Sequence, residues 1–230
     1  MDGASDKYCI ETTTSTIFNS GASIKTDWNR KTIDYPSQKT EEDVADFNAK
    51  LENGRIVSGT IFKSWMNGTR PFEISYNADG TMKQTRYNDI SEYDGSDDWD
   101  NHSFIWENGY LTKVKCESMD AVSTFAYDKT TTIPAPFDKA LDLNMLMLLE
   151  EAEFFDGTNG QILNVLAIGG KLGTRSKGLI KEYHCDWTED TPFTLKMTYK
   201  KLTSDEVIVE VNHYEGNHLS FGHKWTIKRS

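Results

Sequence analysis

The stretch WMNGTRPFEISYNADGTMKQTRY, Trp65 to Tyr87, carries two turn signals, Asn67-Gly68 and Asp79-Gly80, about one strand length apart. Asn-Gly and Asp-Gly are the strongest short hairpin signals, because a type I′ turn needs positive φ at both central residues. The same signal recurs at Asn53-Gly54 and Asn108-Gly109. A single pair would be a local feature; four in succession read as an antiparallel chain of hairpins. Around Asp79-Gly80 a two-residue loop pairs Phe72 with Tyr87 and Ile74 with Thr85, whereas a bulged loop shifts the register by one and turns Met82 toward Tyr76.

The segments between these turns have the period of strands. Ahead of Asn53, the residues Ala45, Phe47, Ala49 and Leu51 alternate with Asp46, Asn48 and Lys50, which gives one apolar face. A helix capped at Thr40 is the rival, since Val44, Phe47 and Leu51 also have helical spacing. The strand is preferred because the adjoining Asn-Gly needs a partner on each side. LENGRI (Leu51 to Ile56) and WENGYL (Trp106 to Leu111) share one pattern, so Leu51 should pair with Ile56 and Trp106 with Leu111.

After Tyr127 the pattern changes. Two prolines in TTTIPAP break the strand, and DKALDLNMLMLLEEAEFF then sets Leu141, Met145, Leu148 and Leu149 at helical spacing, with Asp138 as N-cap. A second apolar piece, QILNVLAIGGKLG, ends in glycines suited to a helix C-terminus. Both pieces should pack as core at one end of the sheet. Strands resume at LIKEYHCDW, FTLKMTYKKL, VIVEVNHY and HLSFGHKWTIK, while YCIETTTSTIF and SIKTDW add two at the start. The expected organisation is a single β-rich domain over 1–230. It has N-terminal strands in 1–40, a meander in 41–128, a helical insert in 137–173 and C-terminal strands in 179–230. About a dozen strands of this length must curl into an open or closed barrel-like sheet or split into packed sheets.

Composition narrows the function classes. The formal charge of −11 opposes binding to nucleic acid or anionic membranes, which need clustered Lys and Arg. The three cysteines, Cys9, Cys116 and Cys185, form no CxxC and read as buried free thiols, with one disulfide plus a spare thiol as the alternative. MDGASDKYCIE has no apolar h-region, and no apolar run approaches the roughly twenty residues of a membrane helix.

The succession of Asn/Asp-Gly hairpins, LDLNMLMLL (Leu141 to Leu149) and LGTRSKGLIKEYHCDW (Leu172 to Trp187) resembles a Bacteroidetes family of extracytoplasmic lipoproteins of unknown function. The resemblance covers residues 40 to 230, and its most specific parts are the Leu/Asn-rich block and SKGLI, Ser176 to Ile180. It implies a porin-like β fold and an extracytoplasmic location, with lipid anchoring of a full-length precursor. It implies no activity and supplies no functional residues. Clean strands with charge opposite their apolar face favour a curved sheet that does not span the membrane.

Candidate sites are few. The acidic connection DGSDDWDNH places Asp94, Asp97, Asp98 and Asp100 close together, as a hard cation such as calcium requires. It lacks the EF-hand glycine and glutamate and reads first as a solvated hairpin tip, with calcium as the lesser alternative. His213, His218 and His223 fall five residues apart, and only a turn at Gly216 could gather them, with Glu215, around zinc. Cys185 adjoins His184, but strand neighbours face opposite ways. GGKLGTRSKG departs from a phosphate-binding loop, since Gly170-Lys171 precedes Leu172. Among six tryptophans, Trp99 and Trp106 are the candidates for contact with a glycan or lipid. No cofactor signature is present, and chelator is expected to leave the melting temperature unchanged. Three functions compete: a non-catalytic ligand-binding or interaction protein, a glycan or lipid hydrolase assembled only in three dimensions, and a structural envelope component.

Overall fold

Both Asn-Gly turns at the ends of the twin hairpins take the left-handed backbone that type I′ demands. The φ angles are 51° and 77° at Asn53 and Gly54, and 54° and 81° at Asn108 and Gly109. The computed structural model describes residues 8–19, 23–35, 40–63, 69–88, 95–118, 120–132, 142–151, 170–187 and 191–228. The chain forms two compact units, Met1–Glu73 and Ile74–Ser230. Strand order follows chain order throughout, and every register that is resolved is antiparallel.

The first unit holds β1 (Tyr8–Asn19), β2 (Ser23–Tyr35), β3 (Thr40–Glu52), β4 (Arg55–Lys63) and the start of β5 (Thr69–Tyr76). The helical rival for β3 fails because Phe47, Ala49 and Leu51 are buried while Asn48 and Lys50 are exposed, a period of two. Phe47 stacks on Phe72 with ring centroids 5.4 Å apart, and Ile56 and Ile61 complete this core.

The second unit continues with β6 (Met82–Asn88), β7 (Trp99–Glu107), β8 (Tyr110–Cys116) and β9 (Ala121–Asp128). After the helix α1 (Leu143–Glu151) come β10 (Leu179–Trp187), β11 (Phe193–Leu202), β12 (Glu206–Glu215) and β13 (His218–Lys228). Val114, Tyr183, Leu195, Met197, Val207 and Val209 are all buried on one side. The other side exposes Lys113, Lys115, Lys181, Lys196 and Lys200.

One open alternative closes and two expectations need correction. Asp79-Gly80 is not a two-residue turn: Asn77 N–H donates to Thr81 O, and Gly80 N–H to Asn77 O, each at 2.9 Å. That is a three-residue loop ending in left-handed Gly80, the bulged alternative. Asp79 caps it, accepting from Thr81 N–H and hydroxyl at 3.0 and 2.7 Å, and these bonds hold its carboxyl below the usual range. Second, the helix carries no single stripe: Leu143, Met145, Leu146, Met147 and Leu148 are all buried, so its start is enclosed on every side. Asp142 is its N-cap, accepting from Met145 N–H at 3.1 Å. Asp138, Leu141, Asn67-Gly68 and the second apolar piece as far as residue 169 lie outside the described residues. Third, β7 begins at Trp99, so Trp99 to His102 belong to a strand rather than to the acidic connection.

A strap over 171–178 ties this unit together. Thr174 N–H donates to Gly80 O at 2.8 Å and Lys177 N–H to Gly109 O at 2.9 Å, while Leu111 N–H donates to Ser176 Oγ at 3.2 Å. A Cβ on Gly173 would stand 2.3 Å from Gly80 O, so only glycine permits this approach. Asn144 of α1 donates to Gly178 O and accepts from Ile180 N–H, each at 2.9 Å, standing in for a neighbouring strand where β10 begins.

Candidate functional site

The side chains that converge are neither the acidic run nor the C-terminal histidines, but a trio from β7 and β8. Antiparallel pairing sets His102 opposite Cys116. Asp100 lies two residues before His102, hence on the same face. Asp100 Oδ2 is 3.5 Å from His102 Nδ1. Its Oδ1 accepts from Cys116 Sγ at 3.3 Å and from the Ser118 hydroxyl, which is itself 3.2 Å from the sulfur. One donor atom from each of Asp100, His102 and Cys116 lies within 4.8 Å of the others.

The trio is nearly dry. The His102 side chain is 4% exposed and that of Asp100 14%, while Ser118 in the turn after β8 is open to solvent. Burial pushes the His102 pKa below its ordinary value, against the opposing fields of Asp100 and Glu117, so the neutral imidazole is favoured. On the far side of His102, Thr85 of β6 occupies the opposing register position. Thr85 is 1% exposed, and its hydroxyl has no hydrogen-bond partner among the described residues.

The remaining candidates resolve differently. Asp97 Oδ1 accepts from the Asn88 amide at 2.7 Å, and Asp98 N–H donates to Asn88 Oδ1 at 3.3 Å. Both carboxylates are exposed, and among the described residues neither joins the group around Asp100. Asp94 lies outside the described residues. Trp99 is half-buried beneath the Arg86 guanidinium, 4.5 Å from its ring centre, and Arg86 Nε donates to Asn101 Oδ1 at 3.1 Å. Trp106 is half-buried and donates its indole N–H to Met82 O at 2.7 Å, which ties it to the hairpin scaffold.

Ring contacts cross the C-terminal strands instead. Phe125, Tyr183, Phe193, His213 and Phe221 stand in successive contact across β9 to β13, with centroid separations of 5.6, 5.7, 4.9 and 4.6 Å. His213 is sandwiched between Phe193 and Phe221, and the register sets His218 opposite Glu215. Hence the turn at Gly216 does not gather His213 with His218; the His223 side chain lies outside what is described. The ladder ends at Phe221, 53% exposed, beside Leu219, 49% exposed. Neither the bulge that sets Cys116 opposite His102 nor the diagonal ring ladder has a signal in local sequence.

Two of the three cysteines are as expected, Cys116 and Cys185 being buried thiols with no disulfide between them, while the Cys9 side chain lies outside what is described. His184 is exposed and contacts Thr194, so it faces away from Cys185, whose thiol burial pushes up in pKa.

No protein-family model and no curated protein matches the chain. A crystal structure of a porin-like protein from Bacteroides uniformis is similar in fold, with a TM-score of 0.54 and 14% identity. The alignment covers 96% of this chain and 94% of that one. At that identity the likeness shows a porin-like β fold. It agrees with the fold implied by the Leu/Asn-rich and SKGLI segments.

Proposed function

We propose that this is a non-catalytic, extracytoplasmic ligand-binding protein whose ligand is a glycan, taken at the exposed end of the ring ladder. The observation that carries the reading is Phe221: it is stacked on His213 at 4.6 Å, yet half of it is open to solvent. An aromatic ring stacked on its neighbour and still about half exposed is a platform for the apolar face of a sugar. His218 and Ser220 beside it offer polar contacts. The extracytoplasmic location rests on the family resemblance and on the Bacteroides origin of the similar structure. No described helix is long and apolar enough to cross a membrane. The lysines exposed on the strands of the second unit are the reverse of an apolar lipid-facing band.

The hydrolase alternative draws on the Cys116–His102–Asp100 trio, but its chemistry runs the wrong way. A thiol nucleophile needs a base to draw off its proton. Here the thiol's hydrogen bond goes to the Asp100 carboxylate and not to the imidazole that would serve as that base. A glycan panel screened by thermal shift, followed by titration of the hits, tests the proposal. Phe221→Ala should weaken the best hit about tenfold or more, about 1.4 kcal/mol, with the fold intact. A panel without hits, or a hit that Phe221→Ala binds as tightly as the parent, would sink the glycan reading.

A further inference from the structure

We propose that Asp100, His102 and Cys116 form a binding site for zinc or a similar borderline-soft divalent cation, with Ser118 Oγ or solvent as the fourth ligand. The donor set is that of zinc, a carboxylate oxygen, an imidazole nitrogen and a sulfur, and not the all-oxygen set of calcium. The spacing also suits the ion. Bond lengths of about 2.0–2.3 Å in a tetrahedron place ligand atoms about 3.3–3.6 Å from one another. Cys116 Sγ is 3.3 Å from Asp100 Oδ1 and His102 Nδ1 is 3.5 Å from Asp100 Oδ2, the two oxygens of one carboxylate. A single donor atom from each residue lies within 4.8 Å of the others, so a small closure of the three brings them to that spacing. A cation at this position replaces the thiol proton now shared with Asp100, so one proton leaves as the thiolate binds.

Burial adds a second argument. The His102 side chain is only 4% exposed. A carboxylate, a thiol and the unpartnered Thr85 hydroxyl are gathered beside it at a nearly dry position. Buried polar groups are rarely assembled without a partner for each, and a metal with its bound water would supply one. Entry is from the Ser118 side, where the turn is open to solvent. The proposal concerns a different part of the second unit from the ring ladder and does not rest on the glycan reading.

The test uses the full chain, stripped with chelator and titrated with zinc and with cobalt(II). One equivalent should bind, and cobalt should give the near-ultraviolet charge-transfer absorption of a thiolate ligand. The Cys9→Ser/Cys185→Ser variant should keep that absorption and Cys116→Ser should lose it. Zinc affinity should fall roughly 10–100-fold or more in Cys116→Ser, at least as much as for a supporting residue. Affinity should also fall as pH drops, because protons compete for the ligands. Where Cys116→Ser does not fold, the parent protein decides, since zinc must protect the Cys116 thiol from alkylation as read by peptide mass spectrometry. Absence of the cobalt absorption, its survival in folded Cys116→Ser, an unprotected Cys116, or loss of binding in His218→Ala each overturns the proposal. Bound zinc would also make chelator lower the melting temperature, the opposite of the expectation drawn from sequence.

Discussion

LENGRI and WENGYL turn on the same Asn-Gly pair and skip one residue at the same place. In the first, Leu51 pairs with Ile56 and Lys50 with Ser58, leaving Val57 as the extra residue. In the second, Trp106 pairs with Leu111 and Ile105 with Lys113, leaving Thr112. Each bulge restores alternation one step out of phase, so equivalent positions face the same way in both hairpins. The pair Phe47 and Ile61 in the first hairpin corresponds to His102 and Cys116 in the second. Ala45 corresponds in the same way to Asp100. One backbone plan thus carries an apolar core in one unit and three metal-type donors in the other. The backbone supplies convergence; the side chains decide whether convergence means packing or ligation.

The largest expected effect lies on the apolar side of this comparison. Phe47 is fully buried and stacked on Phe72, so Phe47→Ala should cost about 3–5 kcal/mol in denaturant melts. A cost under about 1 kcal/mol would show that this hairpin is not core. Next come the turns. Gly54→Ala should cost about 1–2 kcal/mol from left-handed backbone alone, because nothing stands within 4 Å of the added carbon. Gly109→Ala should cost about the same, since the added carbon meets only the flexible end of the exposed Lys177 side chain, which can swing away. A markedly larger loss at Gly109 would mean that the strap holds Lys177 against this turn. The smallest effect belongs to the donor side: Cys116→Val, close in volume, should change metal-free stability by less than about 1.5 kcal/mol. A loss rivalling that of Phe47→Ala would make Cys116 a packing residue and erase the contrast.

The same hairpins show how far the sequence could be read. Strand identity, antiparallel pairing and the two terminal pairs, Leu51 with Ile56 and Trp106 with Leu111, follow from turn chemistry and alternation. The bulges do not, because they depend on which residue the packed sheet can leave unpaired. An unbroken two-residue hairpin would have set Lys115 opposite His102 and turned Cys116 to the other face. The site was therefore one residue of register away from legible. Asp100 was singled out for its charge among neighbours that face solvent; His102 lies two residues on along the same strand, but Cys116 sits across on β8. The Asp79-Gly80 loop taught a related lesson: the dipeptide marks a turn, but its left-handed glycine serves a three-residue loop as well as a two-residue one.

The strap over 171–178 bears on the order in which this unit assembles. Each strand pairs with its chain neighbour, so most contacts close short loops and can form independently of the rest. The Thr174 hydroxyl, by contrast, reaches Asp79 O across 95 residues of sequence, and Lys177 Nζ reaches Asn108 O across 69. Closure entropy grows only logarithmically, by about 0.6 kcal/mol for each doubling of length, so this clasp is cheap to shut once the strands exist and impossible to shut before. It should accordingly be the last element to order on refolding and the first to open. In native-state hydrogen exchange the amides of Thr174, Lys177 and Leu111 should then exchange together and earlier than those of Val209 and Leu195. Protection of the clasp equal to that of the sheet interior would instead make it part of the folding nucleus.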